Sequence, residues 1–396
     1  MAPNTKQNSL AFAVLVCGTV LSLAGIDLVL PAIPSLPMFL DGSLESAQLV
    51  LAAFAAGTGA GLLIYGELGA RFKQRKLLIA SLALYAVFSL LASLVSSINE
   101  LILVRFFQGL VSSAPAVFAP GMIKAMFDER GALKAIGLMG SIESLTPAFA
   151  PVIGAWLLTF FDWRASFLVT AGLATVLCLS TWSIKLNALS RPSVLNKGSY
   201  APLFSNRAFM RQSISHSFTL GSLLIFVFGA PTVITTTMEG QLSDFITMQL
   251  IGIAFFIVSV NVSDRLVATF GNEPLILAGS IMTAIGCIAT FLFACFGNND
   301  PKWLWLLFIP INLGLGLRGP PGFYQAVVAS GDNDSRGAAL LILFILGTAA
   351  LGTAAVSPFI SHGLIALSLA VSLIATSSVL VLLALRINDQ PEDQSV

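Results

Sequence analysis

The chain has 396 residues, of which 56% are hydrophobic and only 10% are charged, whereas a soluble globular domain carries about 25% charged residues. No interior of this size could hide so much apolar surface from water, so the solvent around most of it is expected to be lipid. The net charge of +1 provides no field to hold nucleic acid, and the four cysteines and two histidines are too scattered for a metal site, a disulfide framework or redox chemistry.

Apolar runs of about 20 residues, the length that crosses a bilayer as a helix, recur along the whole chain. None shows the polar and apolar alternation of β-barrel strands. The first run has no small-residue cleavage site, so it is interpreted as a membrane span and not as a signal peptide. Twelve transmembrane helices are predicted, near residues 10–34, 46–66, 77–97, 101–123, 133–160, 165–186, 211–235, 242–262, 274–297, 303–328, 337–361 and 364–386.

The distribution of Lys and Arg predicts the orientation, because these residues accumulate in cytoplasmic loops. Of the twenty, Arg105 and Arg318 lie within predicted spans, and Arg164 and Lys302 fall in predicted outer loops. All the others lie on one side when twelve spans are counted. Both termini are therefore expected in the cytoplasm.

The longest polar interruption follows span six and contains several Pro, Gly and cationic residues. It divides the chain into a six-helix bundle at 1–186, a cytoplasmic linker at 187–210 and a second six-helix bundle at 211–396. The sequences of the loops at 66–78 and 263–276 are weakly similar, which supports an internal repeat. The predicted fold is therefore an all-α membrane protein whose two six-helix bundles are related by pseudo-twofold symmetry.

Only four strongly charged side chains lie within the spans: Asp27, Arg105, Glu143 and Arg318. A charge at the bilayer centre costs at least about 2.5–3.5 kcal/mol, so each must face a cavity, have a partner or become neutral. A carboxyl group that alternates between wet and dry surroundings can take up and release a proton. Asp27 is the candidate for this role; alternatively, it is a helix-end acid exposed to the outer water.

The other three charged side chains, and one histidine, also have competing interpretations. Glu143 is a second titrating group or a substrate contact, or an acid near the inner mouth of span five. Arg105 lies near the outer end of span four, and one interpretation is a surface pair with Glu100. Arg318 binds an anionic or carbonyl group of a substrate, or pairs with Glu143. His216 is expected at the inner mouth of span seven.

Three short sequences in the first half carry a family resemblance. Span one contains GIDLVLPAIPSL at 25–36, span four LVRFFQGLVSSA at 103–114 and span five PAFAPVIGAW at 147–156. The first resembles a membrane Asp followed by LPxxP, the second an RxxQG motif, and the third the antiporter motif. Together they resemble the major facilitator superfamily and, within it, the Bcr/CflA-like branch of twelve-span drug:H+ antiporters, which includes bicyclomycin and chloramphenicol/florfenicol exporters.

The resemblance implies roles for individual residues. Asp27 would carry the coupled proton, and Arg105 would act in a proton relay close to it. The gating and motif residues implied are Gly66, Arg71, Gln108, Gly109, Pro147, Pro151, Gly154, Asp264 and Arg265.

One loop departs from the family pattern. Between spans two and three, Gly66 and Arg71 match, but Ala70 stands where the family has an Asp that helps to lock the cytoplasmic side. The second-half copy keeps Asp264 and Arg265, which are expected to compensate.

The sequence thus predicts a secondary active transporter that exports small organic molecules by proton-coupled antiport and alternating access. It is expected to be no enzyme, to need no cofactor besides the proton gradient, and to be a monomer in the inner membrane. The alternative is an importer or facilitator of organic anions, siderophore-like compounds or other metabolites. The residues predicted to contact substrate are Asp27, Glu143, Arg318, Phe54, Phe228, Asn312 and Tyr324.

Overall fold

The structure is a computed structural model that describes residues 5–127, 129–184, 200–331 and 334–384. Within these ranges the chain forms α-helices and short 3-10 helices and no strand. The first half consists of α1 (Thr5–Asp27), a 3-10 helix (Leu30–Ser35), α2 (Leu36–Leu40), α3 (Leu44–Arg71), α4 (Gln74–Leu94), α5 (Ile98–Ser112), α6 (Ala114–Met126), α7 (Glu129–Phe160) and α8 (Arg164–Ser183).

The second half begins within the predicted linker. Residues 187–199 of that linker lie outside the described residues, and its remaining part contains a short helix and the start of the next span. The elements are α9 (Ala201–Ser205), α10 (Arg207–Thr236), α11 (Leu242–Phe270), α12 (Asn272–Phe296), a 3-10 helix (Pro301–Trp303), α13 (Leu304–Ala329), α14 (Asp334–Val356), a 3-10 helix (Ser357–His362) and α15 (Leu364–Ala384).

The helices have the length and composition of membrane spans. Among the described residues, ten segments are long and apolar enough to cross a bilayer, and α7 is an eleventh when its two parts, bent by 43°, are counted as one. The remaining predicted span is α13, whose 26 residues extend about 39 Å, longer than the hydrocarbon core of about 30 Å. All twelve predicted runs thus coincide with a helix or a helix pair.

Several of the predicted spans change from one helix to another part-way, although each remains one segment that is long and apolar enough to cross a bilayer. The first helix ends at Asp27 and continues as a 3-10 helix that contains Pro31 and Pro34. The fourth span changes helix at Ser113, and Pro115 lies in the first turn of α6. Proline has no backbone N–H and cannot continue the hydrogen bonds of a helix, which explains both interruptions.

The two halves repeat one packing pattern. In the first half α3 packs against α5, α4 against α8, and α1 against α7. In the second half the equivalent pairs are α11 with α13, α12 with α15, and α10 with α14. The halves meet where α3 contacts α14 and where α7 contacts α11, which are again equivalent pairs. This arrangement is the pseudo-twofold relation predicted from the sequence.

One end of the molecule is closed across both halves. Leu30 and Ile33 of the first 3-10 helix belong to the same buried apolar cluster as Val233 of α10. Beside it, the Gln48 Nε2 atom of α3 donates a hydrogen bond of 2.8 Å to the Thr232 hydroxyl of α10, and both side chains are buried. This end carries the loops that are predicted to lie outside, so the seal separates the interior from that side.

Close packing of α3 on α5 depends on Gly57. A Cβ atom there would collide with the carbonyl oxygen of Phe106, whereas a Cβ at Gly66 on the same helix would meet nothing within 4 Å. We expect Gly57→Ala to reduce the free energy of unfolding by about 1–3 kcal/mol through overpacking. Gly66→Ala should be neutral or stabilising by up to about 1 kcal/mol, since alanine favours helix. Equal unfolding midpoints for the two variants in detergent would contradict this account.

Candidate functional site

Asp27 occupies the point where α1 ends and the backbone turns into the 3-10 helix. Its side chain is partly exposed, and among the described residues it accepts no hydrogen bond and forms no ion pair. The backbone on either side is held firmly. The carbonyl of Gly25 accepts a hydrogen bond of 2.9 Å from Arg105, and that of Leu28 accepts one of 3.0 Å from Ser166. The fold therefore fixes this carboxyl group but leaves it without a partner.

Arg105 on α5 is fully buried beside that turn. Its Nη1 atom donates to the Gly25 carbonyl at 2.9 Å and to Gln108 Oε1 at 2.8 Å, and its Nε atom donates to the Val50 carbonyl at 3.4 Å. The guanidinium carbon lies 4.2 Å from the centroid of the Phe54 ring, a cation–π distance. Arg105 thus ties spans one, two and four together directly before the membrane acid.

The alternative of a surface pair between Arg105 and Glu100 is wrong. The Glu100 carboxylate caps its own helix, accepting hydrogen bonds from two backbone N–H groups, including that of Ser97 at 3.3 Å. Gln108 extends the Arg105 network in the other direction, because its Nε2 atom donates to the Ser89 hydroxyl at 2.7 Å. The RxxQG residues therefore form one buried hydrogen-bonded unit that reaches span three.

The span-five motif lies against the stretch that contains Asp27. Ala150 packs with Ala24 and Leu28 in a small buried cluster. A Cβ at Gly154 would collide with the Leu28 carbonyl oxygen, so this glycine permits the backbone of α7 to approach span one. The antiporter motif and the membrane acid, predicted separately, are thus in contact through the backbone around residue 28.

Glu143 lies earlier on α7 and is also turned towards span one. It is partly buried, and its carboxyl group faces the Thr19 hydroxyl of α1. Thr19 is eight residues before Asp27, about 12 Å along the helix. Asp27 at the end of α1 and Glu143 beside Thr19 therefore both lie at this helix. Among the described residues, Glu143 makes no ion pair with Arg318.

The prolines of α7 offer a test of the motif. Pro147 is exposed, Pro151 is buried, and the helix axis bends by 43° in this region. Pro151→Ala restores a backbone donor and favours a straighter helix, which would seal the turn at span one less well. We expect a severalfold increase in proton leak through liposomes without substrate, and no increase for Pro120→Ala in α6. If Pro151→Ala left proton leak and export unchanged, the motif would contribute only to helix packing.

Arg318 of α13 is fully buried within the second half. Its Nη1 atom donates to the Ser215 carbonyl at 2.9 Å and to the Thr219 hydroxyl, and its Nε and Nη2 atoms have no partner among the described residues. The hypothesis that it holds Glu143 is not met in this structure, because Glu143 faces the first half. His216, expected at the inner mouth, is instead buried close to Arg318, and that prediction was wrong.

The other predicted substrate contacts have separate surroundings. Phe54 packs beneath Arg105, and Phe228 belongs to the apolar cluster that joins the halves. Asn312 is buried and donates to the Phe308 carbonyl of its own helix at 2.9 Å, whereas Tyr324 is 61% exposed. Two described cavities, of about 560 and 500 Å³, are lined by none of the predicted substrate contacts. Substrate binding by these residues stays a prediction.

The motif residues Gly66 and Arg71 at the end of span two make only surface contacts. Arg71 and Glu67 form an exposed ion pair of 3.6 Å, which contributes about 0–1 kcal/mol at most. Gly66 has no close neighbour. Asp264 and Arg265 in the equivalent loop are exposed and form no ion pair among the described residues, so the expected compensation is not made in this state.

Sequence reasoning missed the caps on the last helix of each half. Arg75 Nη2 donates to the Ile184 carbonyl at 3.0 Å, beyond the end of α8. In the second half, Arg211 Nη2 donates to the Leu382 carbonyl at 3.0 Å and Arg211 Nη1 pairs with Glu273 at 2.8 Å. A cation satisfies the free carbonyls of a helix C-terminus. A cation near each of these inner helix ends is visible in the sequence, but it was interpreted only as evidence for the orientation in the membrane.

Comparison with known proteins agrees with this architecture. Residues 15–356 match the model of the Major Facilitator Superfamily. A bicyclomycin resistance protein homolog of Haemophilus influenzae is 24% identical over 284 residues, which cover 68% of this chain and 70% of that protein. Multidrug resistance protein MdtL of Escherichia coli is 26% identical over 240 residues, which cover 59% of this chain and 61% of MdtL, less than two thirds of its length.

Solved structures with the same fold include a D-xylose-proton symporter, with a TM-score of 0.73 at 14% identity over 95% of this chain and 96% of that one. The nucleoside transporter NupG gives a TM-score of 0.70 at 13% identity over 94% of this chain and 98% of its own. Identities this low show the fold alone. The family match over most of the chain, with its all-helical fold of two repeated halves, shows that the protein belongs to the Major Facilitator Superfamily and is a multi-pass membrane transporter.

Proposed function

We propose that the protein is a proton-coupled antiporter that exports small organic molecules across the inner membrane by alternating access. The observation that carries the proposal is the carboxyl group of Asp27. It is held at a helix break, without a partner among the described residues, between the backbone anchored by Arg105 and the antiporter motif of α7.

An unpaired acid in this position can exchange a proton for a substrate. A carboxylate in a membrane domain is costly unless it is wetted, paired or protonated. Water reaching the site from the inner side lets the proton leave, and a bound substrate then takes its place. Among the described residues Arg105 forms no ion pair with Asp27; its Nε and Nη1 atoms donate to carbonyl and amide oxygens, and its Nη2 atom has no partner. Its proposed role is to position the acid.

The contacts between the halves supply the moving parts. The seam of α3 with α14 and the equivalent seam of α7 with α11 permit one bundle to rock against the other. The apolar cluster and the Gln48–Thr232 hydrogen bond would close the outer side in one state and separate in the next. Alternating access follows if this seal opens only when the inner side has closed.

The direction of transport is proposed as export. The names of the two relatives, a bicyclomycin resistance protein homolog and a multidrug resistance protein, support efflux. The importer alternative relied on Arg318 as a contact for anionic substrates. That side chain is buried between α10 and α13 in this structure, and its position does not decide between export and import.

Transport by purified protein in liposomes tests the proposal. We would measure uptake of chloramphenicol, which carries no charge and is not trapped by a pH gradient, and of bicyclomycin. An antiporter accumulates substrate when the liposome interior is acidic, and a protonophore abolishes the accumulation. Uptake driven instead by external acid would show a symporter, and uptake indifferent to the gradient would show a facilitator. Protein-free liposomes are the control.

A further inference from the structure

A cavity of about 560 Å³ lies in the second half at the end predicted to face the cytoplasm. Its lining includes Arg211 and Gln212 of α10, Glu273 of α12 and Gln325 of α13. Arg211 and Gln212 donate to the Glu273 carboxylate at 2.8 and 2.5 Å. The acid at this cavity is therefore already engaged by partners of its own.

Buried polar atoms without partners continue from this cavity into the bundle. Gln212 Oε1, Ser213 Oγ and His216 Nδ1 follow one another along α10, and Arg318 Nε and Nη2 of α13 lie close to His216. His216 is one helical turn beyond Gln212, and Arg318 is two turns from Gln325, so the pair lies about 6–10 Å beyond the cavity lining. Buried polar groups are normally satisfied by protein or by a bound species, and here the described residues supply no partner.

Three of these atoms converge on one point above Gly322. The position that a Cβ atom would take on this glycine is 2.9 Å from His216 Nδ1, 3.3 Å from Arg318 Nη2 and 3.5 Å from Arg318 Nε. An atom that is not bonded to Gly322 cannot occupy that position, which is one bond length from its Cα atom. The distances show instead that two guanidinium nitrogens of Arg318 and a ring nitrogen that can donate as its Nδ1–H tautomer surround the space beside this glycine, which carries no side chain to fill it.

We propose that an anion binds here, with one anionic atom, either chloride or a carboxylate oxygen of a transported molecule, held between Arg318 and His216. The charge of Arg318 requires compensation, since a buried unpaired guanidinium is costly. Among the described residues no carboxylate pairs with it, and Glu273 is bound by Arg211. The cavity lined by Arg211 and Gln212 lies between this pair and the cytoplasmic side. The site lies inside the second bundle and does not depend on the direction of transport.

A matched pair of glycine substitutions on α13 tests the site. Gly322→Ala places a methyl group on the convergence point, whereas a Cβ at Gly319 would meet nothing within 4 Å. We would measure thermal unfolding of the purified protein in methanesulfonate buffer and replace that anion with chloride at constant ionic strength. Chloride should raise the unfolding midpoint of the unsubstituted protein and of Gly319→Ala by several degrees, because a ligand stabilises the state that binds it. Gly322→Ala should show no rise.

Further arms identify the source of the anion. Replacing methanesulfonate with acetate instead of chloride tests whether the site binds a carboxylate group. A rise in the unfolding midpoint with chloride indicates a resident halide, and a rise with acetate alone indicates a carboxylate group of a substrate. Arg318→Gln should abolish either response. The proposal is overturned if neither anion stabilises the unsubstituted protein, which would assign the position to water. It is also overturned if Gly322→Ala responds as strongly as Gly319→Ala.

Discussion

Asp27→Asn is expected to abolish transport driven by a pH gradient while leaving the protein folded. The amide keeps the shape of the acid but carries no exchangeable proton at the working pH. Asp27 makes no hydrogen bond or ion pair among the described residues, so the change removes no stabilising contact. Substrate uptake into liposomes with an acidic interior should fall to the protein-free level. Exchange of labelled for unlabelled substrate without a gradient should persist, because it requires no net proton movement.

Asp41→Asn is the matched control for this result. Asp41 is an exposed acid after α2 with a φ of 50°, a left-handed conformation that asparagine also adopts readily. The same chemical change at this position should leave gradient-driven uptake intact. Full proton-coupled activity in Asp27→Asn would remove Asp27 from the mechanism, whatever the control shows.

Arg105→Lys is expected to damage both stability and coupling. A lysine ammonium cannot reproduce the planar fork that reaches Gly25, Gln108 and Val50 together, nor its stacking on Phe54. Leaving one or more of these buried acceptors unpaired should lower the free energy of unfolding by roughly 2–5 kcal/mol. Gly25 is two residues before Asp27, so loss of the hydrogen bond from Arg105 to its carbonyl should lower gradient-driven uptake as well.

Arg164→Lys provides the comparison for Arg105→Lys. Arg164 also stacks on an aromatic ring, 4.4 Å from the Trp163 centroid, and donates to the Ser93 carbonyl at 3.1 Å. Its side chain is partly exposed and its ion pair with Asp162 lies at the surface, so the change should alter stability by no more than about 1 kcal/mol. Similar losses for the two variants, measured as unfolding midpoints in detergent, would contradict the assignment of Arg105 as a buried anchor.

The membrane spans were predictable because lipid imposes a strict requirement on the sequence. Each crossing helix must be apolar for about 20 residues, and each turn between helices contains Gly, Pro, Asn or charge. The helix break after Asp27 was less accessible, although Pro31 and Pro34 were visible, because proline is tolerated in many membrane helices. The motif residues were identified from the family resemblance and not from hydropathy.

The partners of the buried cations were harder to predict. Arg105 and Glu100 are five positions apart, and such residues do not share a helix face, so their surface pair could have been rejected from spacing alone. Arg318 finds Ser215 and Thr219 about a hundred positions earlier in the chain, and no local pattern indicates which helices of a bundle adjoin. A pair of Glu143 with Arg318 was one of two interpretations based on charge, but α7 presents that acid to α1.

Proton release on substrate binding tests the central claim most directly. The compound with the largest gradient-driven uptake would be added to purified protein in weakly buffered detergent solution, and the pH change recorded. If proton and substrate compete for Asp27, binding should release up to about one proton per protein molecule, and Asp27→Asn should release none while Asp41→Asn matches the unsubstituted protein. Substrate binding that releases no proton, or equal release from Asp27→Asn, would contradict antiport through this acid.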